Sequence, residues 1–156
     1  MTLLNGPLEN GIRALTILEA VFPESLDISR LTIIDHCALH SSAYGGPVSI
    51  HPDRNNSVGE LSVKRKLMSG GLRIMGNGGM IEVKPTSGGI AYQATNDASG
   101  FLNLLESSYV SALRDRASWA VDNFLPLNDH EVRAWTRESI EVWRARFDAW
   151  LGEDES

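Results

Sequence analysis

Hydrophobic positions recur at helical spacing from near the start of the chain. Ile12, Leu15, Leu18 and Phe22 form one stripe, and Ala14, Ile17 and Val21 widen it, which predicts a helix from about Leu8 to Phe22, stopped by Pro23. Asp27 then suits an N-cap, because its carboxylate can accept a first-turn amide, with Leu26 and Leu31 flanking it as a hydrophobic staple. A second helix follows, with Leu31, Ile34 and Ala38 on one side and Ile33 and Cys37 beside them, ending near His40. Periodicity then lapses. Ser41 to Asn56 holds two glycines, two prolines and paired asparagines, and reads as an irregular connection. Ser57 and Glu60 form a capping box that opens a third helix, whose buried side is marked by Leu61, Val63, Leu67 and Ile74. Gly70-Gly71 predicts a kink or an end there.

After Asn77-Gly78-Gly79 the hydrophobic period changes to two. Met80 to Lys84 and Ile90 to Thr95 alternate as strands around a turn at Pro85 to Gly89, so that Ile81, Val83, Ile90, Tyr92 and Ala94 can share one buried face. A lone hairpin is marginal in water and must pack on the helices before it. Three helices followed by one hairpin predict an α+β, mainly helical fold: a winged helix-turn-helix with a two-stranded wing over residues 1–95, and a C-terminal helical extension over residues 96–156. Phe101, Leu102, Leu104 and Leu105 suggest a short helix in that extension. Ser108 caps the next, with Val110, Leu113, Ala117, Val121 and Phe124 inward. Asn128 and Glu131 open a last helix that carries Val132, Trp135, Val142, Trp143, Phe147 and Trp150.

The charge distribution changes this picture. The net charge is −6, yet residues 57–95 are net +3 between segments of net −3 and net −6. A duplex binder needs a broad positive field, and only the third helix and the wing supply one, through Lys64, Arg65, Lys66 and Lys84 as candidate phosphate contacts. All four tryptophans lie at or after Trp119, and three of them sit on the last predicted helix. Trp135, Trp143, Phe147 and Trp150 are therefore a candidate partner interface. No apolar run is long enough to cross a bilayer, and the first residues lack a secretory signal, so the protein is expected in the cytoplasm.

Catalytic patterns are missing. Cys37 is the single cysteine and falls on an apolar helix side, and no serine sits in a GxSxG elbow. The glycine pairs match neither a P-loop nor a dinucleotide fingerprint. His36 and His40 share one helix face and His51 follows in the loop, but without an HExxH pattern or a cysteine pair they read as helix-end residues rather than zinc ligands. The expectation is a protein with no cofactor, no metal and no enzymatic activity.

Several motifs resemble a known family. The opening Leu3-Leu4-Asn5-Gly6-Pro7-Leu8-Glu9-Asn10-Gly11-Ile12-Arg13-Ala14-Leu15 is similar to the middle component of bacterial ABC-three-component systems. So are His40-Ser41 with Gly45-Gly46-Pro47, His51-Pro52, the Gly59-Glu60-Leu61 start of the basic helix, and Tyr92-Gln93-Ala94-Thr95. The resemblance covers roughly residues 3–150. It implies a subunit of a Lamassu-like anti-phage or anti-plasmid system, in which an SMC- or Rad50-like ABC ATPase senses foreign DNA and an effector, often a nuclease, acts on it. The middle component bridges or regulates the two, so the resemblance implies a non-catalytic adaptor with those partners and secondary DNA contact. The residues leave a second reading open: a homo-oligomeric, dimeric winged-helix transcriptional regulator with its third helix in the major groove. The narrow positive segment weighs against it.

Overall fold

The structure is a computed structural model and describes residues 6–48, 50, 60–105 and 107–124. Helix α1 (Pro7–Val21) starts at Gly6 with proline at its first position, where a missing amide proton costs nothing. A two-residue strand β1 (Ser25–Leu26) leads into α2 (Ile28–Leu39) and a 3₁₀ turn at Ser41–Tyr44. Then come α3 (Glu60–Asn77), the hairpin β2 (Ile81–Thr86) and β3 (Gly89–Ala94), and helices α4 (Ala98–Leu104) and α5 (Ser108–Phe124). Among the described residues this is a mainly helical α+β arrangement of five α-helices with one small antiparallel sheet, in the strand order β1-β3-β2. No helix among the described residues is long and apolar enough to cross a membrane.

Helix α1 is at the centre of the described residues. From Asn10 to Leu18 every residue except Ile12 is buried, because α2, α3, α5 and the sheet pack around it. Leu15, Leu18, Leu31, Ile34, Met68 and Leu102 belong to one core that also takes in Ala117, Ala120 and Val121 of α5. Asp27 caps α2 as its sequence requires, its Oδ1 accepting from the Arg30 amide at 2.7 Å.

Four expectations need correction. The sheet has three strands rather than two: Ser25 and Leu26 pair with Gln93 and Tyr92, and so short a strand shows no alternation to read. Helix α3 runs unbroken through Gly70-Gly71, and its buried stripe is Lys64, Met68, Leu72 and Met75, whereas Ile74 faces out. The cause is a close helix crossing. A Cβ on Gly71 would collide with the backbone nitrogen of Gly11, and one on Gly11 would lie 2.9 Å from the Gly71 carbonyl oxygen, so α3 must turn that edge toward α1. On the hairpin, Ile81 and Ala94 are buried but Val83 is 59% and Ile90 56% exposed. Only the end of that face nearest the helices, Ile81 with its register partner Ala94, is buried, and Ala91 on the other side of the sheet is buried as well. Finally α5 is capped by Ser107, whose Oγ accepts from the Val110 amide at 3.0 Å, and not by Ser108.

Candidate interaction surfaces

The basic run of α3 is divided by the helix itself. Consecutive residues are about 100° apart around a helix, so three cations in a row cannot share one face. Lys64 points inward and is 8% exposed, while Arg65 and Lys66 point outward. Arg73, seven residues beyond Lys66 and thus almost directly in line with it, is exposed as well. Arg65 donates to Ser29 Oγ at 2.8 Å, which fixes the start of α2 beside the basic face. Lys84 stands on the hairpin 3.4 Å from Glu82, which offsets its charge. The outward cations of α3 are therefore Arg65, Lys66 and Arg73. Arg73 was missed because it lies apart from the basic run; counting seven residues on from Lys66 would have found it.

Lys64 ends in a buried polar node. The His36 and His40 rings lie 4.8 Å apart at their centres, and Tyr44 meets His36 edge-on at 5.8 Å. Burial, then the positive charge of Lys64 and the adjacent His40, hold His36 well below the ordinary histidine range. Cys37, fully buried beside them, has its thiol pushed up by burial and by Asp35, so it stays protonated and inert. Among the described residues no three His, Cys, Asp or Glu side chains converge on a common point. His51 lies outside the described residues.

A second polar node ties three helices together. Arg13 of α1 meets Asp35 of α2 at 2.9 Å, with their side chains 3% and 2% exposed. The same guanidinium donates to Asn10 Oδ1 at 2.7 Å and is hydrogen-bonded to Tyr109 of α5. Burial opposes the Arg13 charge, yet Asp35 and Tyr109 outweigh it and raise its pKa. Nothing in the local spacing of the sequence pairs Arg13 with Asp35.

The loop after α2 is fastened to α5. Gly46 lies on the Trp119 indole, where a Cβ would collide with the ring, and Arg116 Nε donates to the Val48 carbonyl at 2.8 Å. Ser41 Oγ donates to the Pro47 carbonyl at 2.8 Å. The Ser41, Gly45-Gly46-Pro47 pattern thus shapes a loop that seats on the last described helix. A family model described as ABC-three component (ABC-3C) system Middle Component 2 matches residues 3–146. The chain belongs to this family. As a middle component it is part of a multi-subunit system and has protein partners. No curated protein and no solved structure matches the chain. Trp135, Trp143, Phe147 and Trp150 of this middle component lie outside the described residues.

Proposed function

We propose that the chain is a non-catalytic adaptor that links an SMC- or Rad50-like ABC ATPase to an effector nuclease in a Lamassu-like anti-phage system. The observation that carries this reading is the family match across nearly the whole chain. The composition supports it: an acidic protein with one positive helix face is suited to docking between larger subunits. In this proposal Trp135, Trp143, Phe147 and Trp150 hold a partner. The unit 1–95 is a winged helix, supported by the order α1-β1-α2-α3-β2-β3 and the strand order β1-β3-β2, and residues 96–156 are its helical extension. Arg65, Lys66 and Arg73 touch nucleic-acid phosphates without reading bases, and Lys84 contributes less while Glu82 holds it.

Co-expression with an SMC- or Rad50-like ABC ATPase and an effector nuclease of such a system tests the adaptor. The expected result is a three-subunit complex that does not form without this chain, and that a folded Trp143→Ala/Trp150→Ala variant fails to assemble. An ATPase–effector complex that forms equally well in its absence removes the proposal. The rival regulator draws on the element order alone. It requires a dimer that prefers one duplex sequence over others by roughly a thousandfold or more, which fluorescence anisotropy against random-sequence competitor measures directly.

A further inference from the structure

Backbone hydrogen bonding along the hairpin alternates in direction. The Thr95 amide donates to the Met80 carbonyl at 2.9 Å, so the pairs Glu82–Gln93, Lys84–Ala91 and Thr86–Gly89 turn their main chains toward each other. The residues between them on β2, Ile81, Val83 and Pro85, turn theirs to the opposite side. That side is an edge: in the order β1-β3-β2 no described strand pairs with it. Helix α3 closes its first part, because the Ile81 carbonyl oxygen lies 3.8 Å from where a Gly76 Cβ would stand. Pro85 has a carbonyl but no N–H to offer. Val83 keeps both groups and is 59% exposed, with Ile90 on the neighbouring strand 56% exposed. The open edge is short and centred on Val83.

Charges and proline on an edge strand commonly prevent pairing. Here their placement selects one pairing and opposes its neighbours. Glu82 and Lys84 flank Val83, and both project from the face away from the core, with side chains 57% and 45% exposed. Let a second copy of β2 lie antiparallel, with Val83 opposite the partner's Val83. Glu82 then falls opposite the partner's Lys84, and Lys84 opposite the partner's Glu82. The two Val83 residues exchange a pair of N–H to carbonyl bonds, and their side chains meet on the other face. A shift that centres the pairing on Glu82 or on Lys84 sets like charges directly opposite, which is destabilising. The proline costs the favoured register nothing: the missing Pro85 N–H would have reached for the partner's Ile81 carbonyl, the group that α3 already closes off. Because Ile81 and Ala94 enter the core at one end of the hairpin, antiparallel pairing sends the two helical bodies to opposite ends.

We infer that a second copy of this chain pairs at the β2 edge in that register, joining two three-stranded sheets into one continuous sheet about a two-fold axis through Val83. This goes beyond the adaptor reading and does not depend on it. Sedimentation equilibrium of the full-length chain tests it. The contact is small, so the dimer should form with a dissociation constant on the order of 100 µM. Glu82→Lys and Lys84→Glu each set like charges opposite one another in the dimer, and each should weaken self-association about tenfold. An equimolar mixture of these two variants should recover a dimer with one copy of each, because every cross-strand pair again has opposite signs. Two chains that had merely lost their fold would not recover. Val83→Pro removes the outward N–H but none of the bonds to β3, and should give a monomer. A native chain that stays monomeric well above that concentration, a dimer indifferent to the charge reversals, or a mixture that fails to recover overturns the inference.

Discussion

Two adjacent glycines in α3 have opposite meanings. Alanine is favoured over glycine in a helix by about 1 kcal/mol, and nothing lies closer than 3.9 Å to a Cβ on Gly70, so Gly70→Ala should stabilise the protein by about that amount. At Gly71 the same gain is outweighed by the collision with the α1 backbone, and a net loss of about 2 kcal/mol is expected. Urea unfolding of the two single variants measures the difference in sign. Asp35→Ala leaves the Arg13 charge buried without its carboxylate and should cost about 3–5 kcal/mol. His36 makes stability depend on pH. The unfolded chain takes up a proton near pH 6.5, whereas the buried ring does so only well below that. Its contribution is therefore complete above pH 6.5 and is lost as pH falls from there toward the depressed folded value, with a slope of up to about 1.4 kcal/mol per pH unit. A His36→Leu variant should flatten the stability curve between pH 7 and 5; an unchanged slope would show that His36 is not the group responsible.

At the scale of elements, capping separates what the sequence states from what the fold selects. The Asp27 cap is legible because acceptor and amide are three residues apart, a local relation. Ser107 and Ser108 are equally good candidates by composition, and only the helix start decides between them. Ser107→Ala should cost about 1 kcal/mol in thermal unfolding and Ser108→Ala close to nothing. Helix α3 was predicted in place but rotated by roughly one residue, because its amphipathic pattern is interrupted by two glycines and its true inner stripe contains a lysine. That rotation matters for function. It turns Lys64 inward, away from any phosphate surface, and leaves Lys66 and Arg73 facing outward together. Lys66→Glu/Arg73→Glu should weaken duplex binding and reduce the slope of log affinity against log salt by about 2, while Lys64→Met should leave that slope unchanged. Anisotropy titrations at several salt concentrations read both.

For the whole molecule, α5 is part of the same core as the helices and hairpin before it, through Ala117, Ala120 and Val121. Residues 1–95 alone would uncover the flanks of α1 and α2 that α5 covers, and would lose the Tyr109 partner of Arg13. That fragment is expected to lose cooperative unfolding, which calorimetry of the fragment beside the full chain can check. A fragment that unfolds cooperatively by itself would instead make residues 1–95 an independent domain.

Helices α1 to α5, the hairpin, the Asp27 cap and the family were all legible in the sequence, since each rests on residues within a few positions of one another or on contiguous motifs. Tertiary structure alone decided the third strand, the rotation of α3 at the Gly11–Gly71 crossing, the burial of Lys64 beside His36, and the union of Arg13 with Asp35. Those relations join residues about twenty to seventy positions apart. Packing sets them, by whichever arrangement buries the most apolar surface without stranding a charge, and no local pattern of hydrophobic and polar residues records that outcome.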